Sequence, residues 1–303
     1  MKVFITGANG FVGKYVTAEV HTAGHEILAS TLVNNKMESD PKNIQWFYGD
    51  LADFNSLKPV LISFNPDVVI HLAWQGIPDY SESISKINLN NSIYLLDYIL
   101  SNTNCRKILV SGSCWEYGNK QGACKESDPV IISSYFTWAK HSLNQYLQLK
   151  CTEEGVTLNW FRNFYLYGPG QRKGSLIPTL IKSIGASETP QINTPLNKND
   201  FVYVEDIAKA FARSVDADFP SGVYNLGSGY GTSVYDVCRI VEEEILGTET
   251  ISNQVLENGQ QAETVNFWAD MEKTQQALSI SPDTSLEAGI NQHILSMKLE
   301  AIT

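Results

Sequence analysis

The feature that most constrains the fold is a glycine-rich turn near the start of the chain. An apolar run over residues 1–5 is followed by T-G-A-N-G-F-V-G at 6–13, where a helical pattern begins. A strand that enters a glycine-rich turn and then a helix forms a site for a dinucleotide pyrophosphate, because the helix N-terminus offers free N–H groups. Gly7 permits the tight turn, Gly10 lets the backbone approach the phosphates, and Gly13 lets the helix pack close to the strand. We therefore predict a bound nucleotide cofactor.

Composition limits the partners and the compartment. The 303 residues are 43% hydrophobic and 18% charged, which suits a sizeable packed core. The net charge of −11 disfavours a nucleic-acid partner, because phosphate backbones select basic surfaces. No apolar run approaches membrane-spanning length, and a strand that begins almost at Met1 leaves no room for a signal peptide. The five cysteines form no C-x-x-C pair, and their odd number argues against a disulfide framework, so we expect a cytoplasmic protein.

Apolar strand-like runs alternate with amphipathic helical stretches along the first half of the chain. This alternation predicts an α/β fold, a Rossmann-type doubly wound parallel sheet with helices on both faces. The predicted strands after the first are 26–31, 45–48, 68–74, 107–110 and 157–161, and the predicted longer helices are 53–64, 83–101 and 136–153.

The pattern loosens after the G-P-G segment at 168–170, where prolines interrupt it. We expect a smaller, discontinuous C-terminal substrate domain in this part of the chain. The predicted division is a dinucleotide-binding domain over 1–166, to which 200–228 returns, and a substrate-binding domain over 167–199 and 229–303.

A series of short motifs gives the chain a specific resemblance. It resembles the extended short-chain dehydrogenases/reductases, the NAD-dependent epimerase/dehydratase family, and within that family the nucleotide-sugar 4-ketoreductases. The motifs that carry the resemblance occur in order over nearly the whole chain: T-G-A-N-G-F-V-G at 6–13, G-D-L at 49–51, H-L-A at 71–73, Asn88, S-G-S-C-W-E-Y-G at 111–118, Ala139-Lys140, R-N-F-Y-L-Y-G-P-G-Q at 162–171, D-F-V-Y-V-E-D-I-A at 200–208, Y-N-L-G-S-G at 224–229 and W-A-D at 268–270.

The resemblance implies a set of cofactor contacts. The turn and the first helix residues would line the pyrophosphate, G-D-L would flank the adenine, and H-L-A would lie beneath the middle of the cofactor. The implied cofactor-binding residues are Gly7, Asn9, Gly10, Phe11, Val12, Gly13, Thr31, Asp50, Leu51, Leu72, Ala73 and Lys140.

The end of the second strand bears on the choice between NAD and NADP. An acidic residue at this place normally binds the ribose hydroxyls of NAD, but here Ser30 and Thr31 occupy it. The missing carboxylate removes a charge that would repel a 2′-phosphate, and Lys36 is the only nearby cation. The prediction leans slightly to NADP, with NAD left open.

The catalytic region departs from the family pattern. The resemblance implies a Ser, a Tyr and a Lys four residues after the Tyr, with the lysine ammonium lowering the phenol's pKa from about 10. Ser113 and Lys140 match, but Phe136 stands at the tyrosine position and Tyr135 lies one residue earlier. In a regular helix, residues five apart lie about 140° apart around the axis, so Tyr135 would point away from Lys140.

Three interpretations of this departure stay open. Tyr135 could act with Ser113 and Lys140 as the catalytic set if the helix starts irregularly near Ser133–Ser134. Another acid could replace the tyrosine, with Tyr165, Tyr117, Cys114 or a water as candidates. The third interpretation is a protein that binds cofactor and sugar nucleotide without ordinary turnover, as a regulatory protein would.

The remaining motifs narrow the substrate and the reaction. Cys114 and Trp115 stand where sugar-nucleotide dehydratases carry an Asp-Glu pair, so dehydration is disfavoured. Glu116 and His71 are expected to be satisfied buried groups, and no metal site is predicted. Trp74, Tyr165 and Arg172 are the predicted substrate-binding residues. Arg172 would hold the pyrophosphate of a nucleotide sugar, and Trp74 would either stack on the hexose or fill the core.

The implied function follows from these residues together. We predict NAD(P)-dependent oxidation or reduction at C4 of a nucleotide-linked deoxyhexose, as a 4-ketoreductase in surface-polysaccharide sugar biosynthesis, with a nucleotide-sugar 4-epimerase as the alternative. The helices at 83–101 and 136–153 are apolar on more than one side, which requires a second partner surface. The resemblance implies a homodimer in which these helices form a four-helix bundle.

Overall fold

The centre of the structure, a computed structural model that describes residues 1–32, 44–260 and 264–300, is a seven-stranded parallel sheet. Its strand order is β3-β2-β1-β4-β5-β7-β11, which confirms the predicted Rossmann-type doubly wound sheet. The strands are β1 (Lys2–Thr6), β2 (Glu26–Thr31), β3 (Ile44–Tyr48), β4 (Val68–His71), β5 (Lys107–Ser113), β6 (Gly122–Cys124), β7 (Thr157–Asn163), β8 (Tyr165–Tyr167), β9 (Lys198–Asn199), β10 (Phe201–Tyr203), β11 (Gly222–Leu226), β12 (Thr232–Ser233) and β13 (Phe267–Ala269).

Helices cover both faces of this sheet. Because successive side chains of a strand point to opposite faces, Val3 and Ile5 pack in the core on one side and Phe4 in the core on the other. None of the described helices is both long and apolar enough to cross a membrane. The helices are α1 (Phe11–Thr22), α2 (Phe54–Phe64), α3 (Glu82–Asn102), α4 (Tyr135–Glu154), α5 (Leu176–Gly185), α6 (Val204–Asp216), α7 (Val234–Leu246), α8 (Thr250–Asn258), α9 (Glu272–Leu278) and α10 (Leu286–Glu300), with a 3-10 turn at Cys114–Tyr117.

The strand predicted over 68–74 is shorter than its apolar composition indicates. β4 ends at His71, and the Thr6 hydroxyl oxygen accepts hydrogen bonds from the N–H groups of Leu72 (3.2 Å) and Ala73 (3.1 Å). A side chain therefore replaces strand pairing at this point. The segment that follows, which includes Trp74, leaves the sheet at its carboxyl edge.

The C-terminal part of the chain builds its own apolar cluster. Residues of α5, α7 and α10 pack around Tyr167 and Tyr203, and β8 pairs with β10. β11 returns to the seven-stranded sheet as a parallel partner of β7. The division into a cofactor domain and a substrate domain, with the boundaries given above, stays a prediction.

The turn between β1 and α1 is as tight as its glycines indicate. Gly7 has a φ of +69°, which L side chains rarely adopt. A Cβ on Gly13 would lie 2.0 Å from the carbonyl oxygen of Gly7, well inside van der Waals contact. The helix therefore approaches the strand end so closely that only glycine fits, which keeps the first N–H groups of α1 at the edge of the sheet.

We expect Gly13→Ala to lower the free energy of unfolding by about 1–3 kcal/mol, the usual range for overpacking, and to weaken nucleotide-cofactor binding. Urea unfolding and cofactor titration measure the two effects. Gly185→Ala is the matched control, because nothing lies within 4 Å of a Cβ at that position. Equal stability and equal cofactor affinity in the two variants would contradict the close approach.

Candidate active site

A cleft opens at the carboxyl ends of β1, β2 and β4, the edge of a parallel sheet where ligands bind in doubly wound folds. Several predicted cofactor residues lie together in its wall: Gly7, Asn9, Gly10, Thr31, Asp50, Leu51 and Ala73. Phe11, Val12 and Gly13 form the start of α1, directly after Gly10.

The groups in this cleft fit a dinucleotide. Gly10 is the N-cap of α1, so free N–H groups of the first helical turn face the place where a pyrophosphate would lie. Ser30 lies in the cleft wall with its hydroxyl buried, and that oxygen has no hydrogen-bond partner among the described residues. A buried polar group of this kind requires a ligand or water. Lys36, the cation considered for a 2′-phosphate, lies outside the described residues.

A chain of hydrogen bonds fixes the floor of the cleft. The Thr6 hydroxyl donates to His71 Nδ1 (2.9 Å), because its oxygen already accepts two backbone N–H groups. His71 Nε2 then donates to Ser92 Oγ (2.9 Å), which donates to the Asn88 carbonyl (2.7 Å). Burial lowers the pKa of His71 to about 3, with the Lys140 charge as the second cause. His71 is thus a neutral, satisfied core histidine, as expected.

Asn88 lies in the first turns of α3 and connects that helix to the Ala73–Gln75 segment under the cleft. Its side-chain oxygen accepts from the Gln75 N–H (2.8 Å), and its amide donates to the carbonyls of Gln75 and Ile84 (both 2.9 Å). These bonds replace a strand partner for residues that have left the sheet. They hold the Ala73–Gln75 segment against the helix.

Ser113 ends β5, and its position is set by Glu116. The Glu116 carboxylate is fully buried and accepts from the Ser113 N–H (3.1 Å), from Trp160 Nε1 (2.9 Å) and from Arg162 Nε (3.0 Å). The Ser113 hydroxyl in turn accepts from the Trp115 N–H (3.2 Å), which forms a capping box. The expectation that Glu116 is a satisfied buried carboxylate is confirmed.

Lys140 projects from α4 into the same region. Its side chain is buried, its Nζ donates to the Ser111 carbonyl (2.7 Å), and it lies 4.0 Å from the centre of the Trp74 ring. Burial lowers the pKa of Lys140 to about 7, although the Glu116 charge acts in the opposite direction. Burial therefore shifts the Lys140 side chain toward its neutral amine form near neutral pH. Trp74 is a cation–π partner of Lys140 in the wall of the cleft.

Phe136 lies one turn before Lys140 and points inward. It is 7% exposed, and its ring is 5.5 Å from Trp74, 5.3 Å from Tyr80 and 5.8 Å from Trp115. These four aromatic residues form what we call the aromatic wall. The place that the resemblance assigns to a phenol is therefore occupied by an apolar ring.

The catalytic role of Tyr135 stays a prediction, and the geometry of α4 gives it no support. α4 begins regularly at Tyr135, because the Ser134 hydroxyl caps it by accepting from the Thr137 N–H (3.1 Å). The irregular start that would turn Tyr135 toward Lys140 is absent. Tyr135 is 51% exposed and lies beside Glu82 and Lys86. Regular helix geometry places it on the other side of α4, as the five-residue spacing requires.

Three other acids were candidates for the missing phenol. Tyr117 is buried and its hydroxyl donates to Asn225 (2.6 Å), and burial raises its pKa. Cys114 is also buried, and burial raises the pKa of its thiol well above the usual value. Tyr165 is half-buried beside Trp115, and burial raises its pKa as well. Of these three, Tyr165 is the one that is not fully buried.

Sequence reasoning missed Tyr80 and the role of Trp115. Tyr80 precedes α3, is half-buried, and stacks at a tilt on Trp115 with ring centres 5.0 Å apart. Burial raises the pKa of Tyr80, and the charge of the exposed Arg172 acts in the opposite direction. No motif marks Tyr80, because the contact depends on how the loop before α3 folds over α4. Arg172, a predicted substrate residue, does lie on this side of the molecule.

The five cysteines are buried and unpaired. Within the described ranges 1–32, 44–260 and 264–300, no group of three His, Cys, Asp or Glu side chains is placed to hold a metal ion.

Known proteins resemble this chain in family and in fold. The NAD dependent epimerase/dehydratase family matches residues 3–227. The dTDP-6-deoxy-L-talose 4-dehydrogenase (NAD(+)) of Aggregatibacter actinomycetemcomitans is 27% identical, over 83% of this chain and 92% of that protein. The dTDP-4-dehydro-6-deoxyglucose reductase of Escherichia coli is 25% identical, over 98% and 97%. The UDP-glucose 4-epimerase of Thermotoga maritima superposes with a TM-score of 0.85 and 21% identity, covering 99% of this chain and 100% of that one.

The lowered pKa of Lys140 predicts a pH dependence of cofactor binding. If the ammonium holds a ribose hydroxyl, affinity for a reduced nicotinamide cofactor falls as pH rises through about 7, by up to about tenfold per unit, because the neutral amine donates less strongly. Fluorescence titration between about pH 6 and about pH 9 measures this. Lys140→Met should bind weakly at every pH, and Lys173→Ala, an exposed neighbour of Arg172, should behave as the wild type. A flat wild-type profile would contradict the assignment.

Proposed function

The chain belongs to the NAD dependent epimerase/dehydratase family, and on that premise we propose that it is a nucleotide-sugar 4-ketoreductase. The reaction proposed is NAD(P)-dependent oxidation or reduction at C4 of a nucleotide-linked 6-deoxyhexose. The single observation that carries the proposal is the placement of Ser113 and Lys140 at the carboxyl edge of the sheet, next to a cleft that fits a dinucleotide. The two relatives named above act at C4 of dTDP-linked 6-deoxy sugars.

Each group would have a defined task in this reaction. A bound nicotinamide cofactor would supply or accept the hydride. Ser113 would donate a hydrogen bond to the C4 oxygen of the sugar, because its hydroxyl proton is free while its oxygen accepts from Trp115. Lys140 would hold the cofactor ribose and supply positive charge. Arg172 would bind the nucleotide pyrophosphate, and Trp74 and Tyr165 would line the sugar pocket.

A 4-epimerase is the second candidate, supported by the fold-level likeness to UDP-glucose 4-epimerase. The two activities differ in their cofactor balance. A reductase consumes one reduced cofactor for each sugar, whereas an epimerase returns the hydride to the same sugar and leaves the cofactor unchanged. The buried Phe136 favours a third candidate of another class, a cofactor-binding regulatory protein without turnover.

We expect purified protein to oxidise one NADH or NADPH per nucleotide-linked 4-keto-6-deoxyhexose reduced, with Ser113→Ala lowering kcat at least about 100-fold. Loss of reduced-nicotinamide absorbance and mass spectrometry of the sugar product measure the balance. Lys173→Ala serves as the exposed control. A C4 epimer formed without net cofactor change would assign the epimerase. Tight cofactor binding without turnover, in the wild type and in Phe136→Tyr, would assign the regulatory protein.

The slight preference predicted for NADP over NAD is part of the same proposal. The end of β2 presents Ser30 and Thr31 to the cleft, and neither bears a charge that repels a 2′-phosphate. We expect Thr31→Asp to weaken NADPH binding at least about tenfold, because the new carboxylate lies beside the phosphate, and to change NADH binding little. Thr31→Asn controls for shape. Equal loss for both cofactors would mean that Thr31 does not face the 2′ position.

The homodimer stays a prediction and belongs to this proposal. α3 and α4 pack against each other, and their outer faces expose Ile87, Tyr94 and Leu149. Five of the apolar residues of these two helices lie in the core of this chain: Leu95, Leu96, Ile99, Leu143 and Leu147. The apolar area left for a partner is therefore smaller than the sequence pattern indicates.

A further inference from the structure

The aromatic wall suggests where the missing proton donor lies. We propose that the hydroxyl of Tyr80 protonates the C4 oxygen of the sugar, in place of the tyrosine that Phe136 replaces. This inference rests on the function proposed above and adds to it a catalytic residue from a different element. Tyr80 precedes α3, whereas the usual position is on α4.

The first argument is position. Phe136 marks the place of the usual phenol, and the Tyr80 ring packs edge-on against it, with ring centres 5.3 Å apart. Tyr80 also contacts the ring of Trp115, and the backbone N–H of Trp115 donates to the Ser113 hydroxyl. Tyr80 therefore lies against both the helix that carries Lys140 and the turn that carries Ser113.

The second argument is accessibility. A proton donor must reach the ligand and also exchange with solvent. Tyr117 and Cys114 are buried, and regular helix geometry directs the exposed Tyr135 away from Lys140. Tyr80 is half-buried and borders a surface groove that Tyr135, Ser134 and Trp138 also line, which gives it a route to water. Tyr165, also half-buried, is the other candidate phenol beside the aromatic wall.

The third argument, which separates Tyr80 from Tyr165, is charge. A phenol acts as an acid and base near neutral pH only when a cation stabilises its phenolate. Burial raises the pKa of Tyr80, and the charge of Arg172 acts in the opposite direction. The groups that act on Tyr165 are burial, Cys114, Trp115 and Tyr80, and none of them is a cation. Tyr80 is therefore the one of these two phenols on which a cation acts.

The proposed step balances as a reduction. The sugar carbonyl carbon gains the hydride that reduced nicotinamide supplies, and the carbonyl oxygen takes the proton of the Tyr80 hydroxyl. The O–H bond of Tyr80 breaks as the O–H bond of the sugar forms. The phenolate, held beside Arg172, regains its proton from water. The reverse sequence gives the oxidation.

The first test is Tyr80→Phe, with Tyr94→Phe as the matched control on the exposed face of α3. We expect Tyr80→Phe to lower kcat about 100-fold or more, the usual contribution of general acid catalysis, with cofactor affinity unchanged. Tyr94→Phe should keep the wild-type kcat. A wild-type kcat in Tyr80→Phe overturns the inference while leaving the proposed function in place.

The second test is rescue. Phe136→Tyr restores a phenol four residues before Lys140, so the double variant Tyr80→Phe/Phe136→Tyr should recover at least about tenfold of the lost kcat. A structural defect at Tyr80 would not be repaired in this way, and absence of rescue overturns the inference. If the wild type is inactive and Phe136→Tyr gives turnover, the inference is also overturned. If neither the wild type nor Phe136→Tyr gives turnover, the proposed function and this inference both fail.

A third readout does not depend on turnover. With 3-fluorotyrosine at position 80, the fluorine resonance should shift when a nucleotide-linked 6-deoxyhexose is added to the cofactor-loaded protein, because the phenol contacts the sugar. The same label at position 94, on the exposed face of α3, should not shift. An unchanged resonance at position 80, with binding of the same sugar verified by calorimetry, overturns the contact.

Discussion

The buried carboxylate of Glu116 is the contact on which the catalytic end of the sheet depends. It accepts from the Ser113 backbone at the end of β5 and from two side chains of β7, Trp160 and Arg162. Removing one partner of such a buried ion pair typically costs about 3–5 kcal/mol, because the other charge stays without compensation. The same carboxylate raises the pKa of Lys140, against the larger effect of burial. Glu116 therefore sets both the place of Ser113 and part of the charge of Lys140.

Around this fixed centre the site is unusually apolar. The Trp74 and Phe136 rings lie 4.0 Å and 6.0 Å from the Lys140 Nζ, which donates a hydrogen bond to the Ser111 carbonyl. Low polarity strengthens any charge interaction with a ligand and at the same time favours the neutral amine. In the proposed mechanism the phenol comes from Tyr80, outside α4, where the charge of Arg172 acts against the effect of burial on the pKa of Tyr80.

Local pattern was sufficient for much of the fold and for part of the site. The glycine-rich turn, the alternation of strands and helices, and the places of Ser113 and Lys140 were predictable because each depends on residues close in sequence. The absence of the usual tyrosine at position 136 was also visible in the sequence. Helix geometry predicted that Tyr135 points away from Lys140, and its exposed side chain agrees with this. The end of β4 was predicted three residues too late, because the Thr6 side chain intercepts backbone groups that composition alone assigns to a strand.

The sequence by itself determined the doubly wound sheet and the cofactor turn, since periodicity and spacing carry that information. The loss of the usual tyrosine followed from the resemblance to the family. Only the tertiary structure decided which groups lie around the position that the usual tyrosine would occupy. Tyr80, Trp115 and Phe136 come from three separate segments, and their contacts depend on how the loop before α3 lies against α4. Burial then set the pKa of Lys140 near 7, because the cost of burying a charge depends on neighbours that are distant in the chain.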